Sequence, residues 1–462
     1  VRKVSILLLS FLGLLIALSS GCNKATNFST GQLDFSLDTL VFDTVFTTIG
    51  STTQQFKIYN NESKSINIEE IELMGGSNSP FRMNVDGEMG TKLSSMVIES
   101  GDSLFAFVEV TLNVNNQNLP LIVEDSIRFR TNGKDQYIHL AVWGQDAYFH
   151  YKDLNEGTWP NDKPHVVFGY AAIDSAKTLT IQKNTKIYLH KNALLYVYKS
   201  TLNIEGEKNE EVIFQGDRLE SLYDDVSGQY YGIYFQEARP SSINYAIIKN
   251  GTSGVHLYSK DASSSGYTLT LTNTKITNHA RYGVFIYSGA KVKAENCLIK
   301  GNGNHALLVK EGGDFNFNFC TLLGYGSSNT NPTVGISNYY SNPSTNVTTI
   351  GSINEGSIRN SIITGNQLTE LVFDTLSNPG INLNFSFRNC LIKLEEPIIN
   401  SFFTNILWNA IPYFTAINDN DFTFLPQSVL NGGADANFWI PFDLNGATRD
   451  ASNPDIGAYE VN

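Results

Sequence analysis

The sequence predicts an all-β chain, an immunoglobulin-like β-sandwich followed by a right-handed parallel β-helix, and three observations carry that prediction. Short apolar strings recur in the second half at a nearly fixed interval: Ile248, Ile276, Ile299 and Leu322 follow one another at steps of 28, 23 and 23 residues. A second series interleaves with them, Gly232-Ile-Tyr-Phe235, Gly254-Val-His-Leu257, Gly283-Val-Phe-Ile286 and Ala306-Leu-Leu-Val309, at steps of 22, 29 and 23. Two series locked to one period without a helical repeat mean stacked β-coils, a solenoid. The region before them alternates apolar and polar residues between turn clusters, as half-buried antiparallel strands do.

In chain order, Arg2 and Lys3 precede an apolar run from Val4 to Leu18 and then Ser19-Ser20-Gly21-Cys22. A basic start, an apolar stretch and small residues before a cleavage point predict a signal peptide over residues 1–22 rather than a membrane span. Its end resembles the lipobox of bacterial lipoproteins, with Ser19 standing where that motif has Leu. The resemblance implies a lipidated Cys22 that anchors the protein in the cell envelope, with the outer membrane as the expected location and the leaflet open. Residues 23–32 are polar and read as a tether.

The sandwich is expected over residues 33–147. Phe56-Lys-Ile58, Ile66-Asn-Ile68, Leu104-Phe-Ala-Phe-Val-Glu-Val110, Ile127-Arg-Phe129 and Ile138-His-Leu-Ala-Val142 supply the alternation, and Ser100-Gly101-Asp102 and Asn132-Gly133 supply turns. Gln55-Phe-Lys-Ile-Tyr-Asn60, Ile98-Glu-Ser-Gly-Asp-Ser103 and Ser126-Ile-Arg-Phe-Arg-Thr-Asn132, in that order, resemble the Ig-like domains of the abnormal-spindle and hydin type. This resemblance implies a spacer or interaction module. Residues 148–164, with Gly157, Trp159, Pro160 and Pro164, read as a linker.

Residues 165–462 are expected to form the β-helix with a C-terminal cap. Parallel strands of successive coils pair about 4.8 Å apart, so equivalent inward side chains stack as ladders and must be small or apolar. Ala246, Thr274, Cys297 and Cys320 form one such ladder, and Asn250 and Asn278 suit the bends. A 41-residue step from Leu322 to Ile363 hides an insertion, placed at about 325–356. Thr201-Leu-Asn-Ile-Glu-Gly206 and the closing Asn453-Pro-Asp-Ile-Gly-Ala-Tyr-Glu460 resemble bacterial right-handed β-helix repeat proteins of the pectate-lyase-like fold. The closing string is expected to blunt the exposed edges of the last coil.

Cysteine use follows from the same ladder. Cys297, Cys320 and Cys390 repeat at one position; adjacent rungs are close enough for a Cys297–Cys320 disulfide, but parallel neighbours meet its dihedral geometry poorly, so buried thiols are the favoured expectation. The net charge of −13 argues against nucleic acid as a partner. No metal-ligand set stands out: His256 and His305 are isolated and read as solvated surface histidines, and Asp419-Asn-Asp421 lacks the Gly and Glu of a calcium loop.

The fold that the chain resembles includes pectate lyases and polygalacturonases, which implies a basic residue near calcium-holding carboxylates if this chain is a lyase. Lys249 and Lys300 follow the inward Ile of their coils and face outward, with Asp224 and Asp225 in a preceding loop. Such an arrangement suits a basic residue beside bound calcium, and equally any solvated solenoid face. The paired carboxylates of the hydrolases are missing, and no catalytic residue is assigned. Tyr339 and Tyr340 in the insertion, and Tyr234 on a strand, offer aromatic surface for sugar rings. The leading functional reading is a lipid-anchored envelope protein that recognises polysaccharide or another surface partner without catalysis or cofactor, through Tyr234, Tyr339, Tyr340, Lys249 and Lys300. The alternative is a calcium-dependent polysaccharide lyase.

Overall fold

The computed structural model describes residues 28–113, 121–260, 266–325 and 331–461, and the chain forms two compact units that meet in sequence at Asp146 and Ala147. The expected signal peptide and Cys22 lie outside the described residues. Among the described residues no helix is long and apolar enough to cross a membrane.

The first unit is a β-sandwich of two five-stranded sheets. One contains Gln54–Tyr59, Ser103–Val110 and Phe81–Val85, and the other Thr39–Phe46, Lys134–Gln145, Leu121–Thr131, Ile66–Leu73 and Lys92–Ile98. Alternation sends Phe56, Ile58, Ile71, Phe81, Val108, Phe129 and Leu140 into one shared core. The Asn132-Gly133 turn has φ of 51° and 71°, left-handed at both positions, which is what a two-residue hairpin needs. Thr39–Phe46 pairs in parallel with Lys134–Gln145, an exception among the otherwise antiparallel pairs.

The second unit is a parallel β-helix with three faces. The first face is a ten-stranded sheet, with inward Ile181, Ile204, Ile243, Leu271, Ala294, Phe317, Ile358 and Phe387 in register. The second face stacks Phe214, Ile248, Ile276, Ile299, Leu322, Ile363 and Ile392, all fully buried. The third stacks Ile233, Val255, Val284, Leu307, Val334 and Leu371. Each fully buried aliphatic side chain contributes about 1.5–3 kcal/mol, so the repeat period is a record of these ladders. Bends between faces carry left-handed Asn250, Asn273, Asn278, Asn296, Asn360 and Asn389. Cys297, Cys320 and Cys390 are free and buried.

Three sequence expectations change. Residues 148–164 are the first coil rather than a linker: Tyr148–Leu154 pairs in parallel with His165–Ile173, and Gly157–Trp159 with Thr178–Gln182. Gly157, at φ 82°, turns between strands of that coil. The insertion is also shorter than expected, because Val334–Ser337 is a strand of the third face and the extra element is a hairpin of Tyr339–Asn342 with Val347–Ile350.

The C-terminal segment is the third change. It runs back along the flank of the solenoid, where Phe414, Phe422, Phe424, Leu430, Leu444 and Ile456 cover the outward Leu298, Leu323, Ile362 and Leu391 of the second face. Four asparagines at or beside the bends hold it: the side-chain amides of Asn296, Asn318, Asn360 and Asn389 donate to the carbonyls of Phe442, Phe438, Asp435 and Gly433. Fully buried Arg449 pairs with Glu460 at 3.1 Å, donates to Asn296 Oδ1 at 3.0 Å and lies 4.3 Å over the Phe319 ring. Gly457, at φ 103°, leaves no room for a Cβ, which would come 2.6 Å from Ile362. The Asp455-Ile-Gly-Ala-Tyr-Glu460 string is therefore a clasp on the flank.

Candidate functional site

Strand register on the third face places residues from distant parts of the sequence side by side. Alternation turns Ala172, Tyr196, Tyr234, His256, Phe285, Leu308, Gly335 and Val372 outward in one continuous row. The rings follow one another along the axis: Tyr196 stacks on Tyr234 at 5.6 Å, Tyr234 meets His256 at 4.7 Å with the planes tilted by 37°, and His256 stacks on Phe285 at 4.5 Å. A parallel row holds Tyr198, Gln236, Tyr258, Tyr287 and Lys310. Tyr258 and Tyr287 pack at 5.5 Å. Stacked aromatics gain about 0.5–1.5 kcal/mol per pair beyond their burial, which favours one rigid strip.

Burial keeps the strip uncharged. His256 is pushed down to about 4 by desolvation, and Tyr234 up to about 12 by desolvation and the neighbouring Tyr231 and Tyr196. Tyr287 rises to about 12 through desolvation and its hydrogen bond with Glu311. The Tyr231 hydroxyl and His256 Nδ1 are 2.7 Å apart, and His256 Nε2 has no hydrogen-bond partner among the described residues. His256 is thus a rung of the stack and not the solvated histidine the sequence suggests. His305 is corrected likewise: it is half-buried, with Nδ1 at 2.7 Å from the Pro332 carbonyl.

Because rings within the stack cover one another's faces, an open face exists only where the row is interrupted. The run of rings gives way to Ala172 at one end and, one coil beyond Leu308, to Gly335 at the other. At Ala172 a cleft of about 600 Å³ opens beneath Tyr196, flanked by Tyr170, Tyr198, Leu154 and Asp174. At Gly335 a second cleft of about 510 Å³ is lined by Tyr282, His305, Lys310, Tyr339, Tyr340 and Asp374. A Cβ on Gly335 would meet His305 and Leu308 at 3.2 Å, so glycine keeps that floor open. In this cleft the Tyr339 hydroxyl donates to both Asp374 oxygens at 2.9 Å, and Lys310 Nζ lies 4.9 Å over the Tyr340 ring. Six coil steps of about 4.8 Å separate the two interruptions, about 29 Å in all.

The structure brings Tyr234, Tyr339 and Tyr340 onto this face and sends the two lysines elsewhere. Lys249 and Lys300 are outward on the second face, and the Lys300 ammonium donates to Asn420 Oδ1 and lies 5.6 Å over the Phe422 ring of the C-terminal segment. Desolvation lowers its pKa. Asp224 and Asp225 serve the bend instead, their carbonyls accepting from Asn250 and Asn278. Sequence reading missed Tyr196, Phe285, Tyr282, Lys310, Gly335 and Ala172. A signal was present, since the third residues of the second repeat series read Tyr234, His256, Phe285 and Leu308, but only the register makes them neighbours.

Chemically, each cleft has one carboxylate, Asp174 or Asp374, and only the Gly335 cleft has a lysine. Paired carboxylates for glycoside hydrolysis, about 5–9.5 Å apart, do not line either one. Among the described residues no group of three His, Cys, Asp or Glu side chains is placed to hold a metal ion. The arrangement offers ring faces, hydroxyls and single charges, the chemistry of binding.

Residues 171–322 match the family model for a right-handed β-helix region. No curated protein matches the chain. Among solved structures, the chain is similar to the catalytic unit of a thermostable GH87 α-1,3-glucanase from Streptomyces thermodiastaticus strain HF3-3, at 10% identity and TM-score 0.25 over 76% of this chain and 89% of that one. A GH87 α-1,3-glucanase catalytic domain in complex with tetrasaccharides is similar at 8% identity and TM-score 0.20, over 76% of this chain and 88% of that one. A family 123 glycoside hydrolase from Clostridium perfringens is similar at 10% identity and TM-score 0.18, over 25% of this chain and 26% of that one. At these scores the likenesses carry no argument about activity.

Proposed function

We propose that this protein is a lipid-anchored component of the cell envelope, held in the outer membrane by Cys22, that recognises polysaccharide through the third face of its β-helix without catalysis. An Ig-like spacer separates the anchor from the solenoid along the chain. The observation that carries the reading is the aromatic row from Tyr196 to Phe285, rigid and uncharged, with a ring-lined cleft beyond each end. Sugar rings present apolar C–H faces and polar rims, and such ligands need ring faces with a few hydroxyls and charges around them. The lyase alternative has less support. It needs a basic residue beside a carboxylate cluster that could hold calcium; the cleft that has a lysine, at Gly335, is lined by the single carboxylate Asp374, whose oxygens accept from Tyr339, and the Lys300 ammonium is engaged by Asn420 and Phe422.

The test is retention of the full chain on immobilised neutral and uronate-containing polysaccharides, with calcium present and absorbance of unsaturated product followed in parallel. Retention without product supports the reading, and turnover abolished by changing a lysine overturns it in favour of the lyase. For the anchor, Cys22→Ala should move the protein from the membrane to the soluble fraction; unchanged detergent dependence would contradict lipidation.

A further inference from the structure

The two clefts differ in charge, and the difference points to what the Ala172 cleft accepts. Tyr170, Ala172 and Asp174 alternate outward on one coil, while Ala171 and Ile173 turn into the core. Register sets Tyr196 directly over Ala172 and Leu194 over Tyr170. Where the row would place another ring there is only a methyl group, so one face of Tyr196 is left uncovered, with the Tyr170 ring on one side and the Asp174 carboxylate on the other. The Tyr196 hydroxyl is committed to Gln236 at 2.6 Å, which fixes the ring.

Charge completes the picture. Asp174 Oδ1 accepts from the backbone N–H and the hydroxyl of its neighbour Ser175 at 2.7 and 3.1 Å, and no ion pair engages Asp174 among the described residues. No lysine, arginine or histidine lines the cleft. In the Gly335 cleft, by contrast, Tyr339 occupies Asp374 and Lys310 brings its own cation. An electron-rich tyrosine face beside an unpaired carboxylate, in a largely apolar recess, attracts a poorly hydrated cation through the ring quadrupole and the full charge together. The neighbouring Tyr198 ring already holds the Lys199 ammonium at 5.2 Å. From the open Tyr196 face and the unpaired Asp174 we infer that the Ala172 cleft is a site for an organic ammonium group, a protonated amino sugar or a quaternary ammonium substituent. This rests on the reading of the third face as a binding surface and names the chemistry of one end of it.

The test titrates the full chain with choline and glucosamine, and with their neutral counterparts 3,3-dimethylbutan-1-ol and N-acetylglucosamine, by calorimetry and tyrosine fluorescence. At least one ammonium probe should bind about tenfold more tightly than its neutral counterpart, and which of them binds identifies the source of the charge. Asp174→Asn should erase that preference. Ala172→Phe, which fills the missing rung, should abolish ammonium binding and leave the thermal unfolding midpoint close to the parent. Equal affinity for neutral and charged probes, no binding of any ammonium probe, or indifference to Asp174→Asn would overturn the inference. Polysaccharide retention that survives with no ammonium binding removes this inference alone, whereas loss of both removes the reading beneath it.

Discussion

The second and third faces of the solenoid start from the same plan and end differently. Both lay apolar side chains outward above a closed inward ladder. On the second face Leu298, Leu323, Ile362 and Leu391 disappear beneath the C-terminal segment, fastened by four asparagines and by Arg449. On the third face Tyr196, Tyr234, His256 and Phe285 remain half-buried, shielded chiefly by one another. Outward apolar residues on a solenoid thus have two uses. Aliphatic ones on the second face receive a segment of the same chain, whereas stacked aromatic ones stay rigid while leaving edges and a few ring faces for a ligand.

The largest expected break in this comparison is Arg449→Leu. It leaves the Glu460 carboxylate buried without its cation and Asn296 without its donor, and breaking such a pair costs about 3–5 kcal/mol. Thermal unfolding should fall steeply, and proteolysis should begin in residues 410–461 before the coils. An unchanged midpoint would mean that the segment is not held by the clasp.

Acid should act next. His165, His256 and His279 are each pushed down to about 4 by burial, from an ordinary value of 6.5. Between those values the unfolded chain binds more protons than the folded one, so stability is full above pH 6.5 and falls as the pH drops through 4. Each histidine accounts for up to about 3 kcal/mol of that loss. His256→Phe should preserve the stack and remove one share, measured as a flatter dependence of denaturation midpoint on pH; an identical profile would show that His256 is not held neutral.

Smaller in stability, and sharper for function, is Phe285→Ala. Loss of stacked contacts on a half-buried ring should cost about 1–2 kcal/mol, far less than removal of the inward Ile299, for which Ile→Ala costs about 2–5 kcal/mol. Retention on polysaccharide should nevertheless fall for Phe285→Ala. The smallest effect is expected at Lys249, where Ala should change stability by no more than about 0.5 kcal/mol and leave retention intact. Equal losses at Lys249 and Phe285 would move the binding surface to the second face.

How much of this was legible in the sequence follows from what each part needs. Inward ladders demand an apolar residue at a fixed place in every coil, so Ile248, Ile276, Ile299 and Leu322 announced the solenoid. The first coil was hidden because its strands, Tyr148–Leu154 and Gly157–Trp159, carry polar residues and a glycine that mimic a linker. The clasp was hidden because Arg449 and Glu460 have no repeat partner and Arg449 meets Asn296 across more than a hundred residues. The binding row lay in plain view as Tyr234, His256, Phe285 and Leu308. Its two interruptions, Ala172 and Gly335, become meaningful only when the coils are set in register.

Footprinting with hydroxyl radicals tests the central claim most directly. The full chain would be labelled with and without a retained polysaccharide, and oxidation read residue by residue by mass spectrometry. Protection of Tyr196, Tyr282 and Tyr340, with Tyr137 of the sandwich and Tyr413 of the C-terminal segment unchanged, is the predicted result. Protection confined to Tyr413 or to the sandwich, with the third face labelled as before, would contradict the assignment of that face as the ligand-bearing surface.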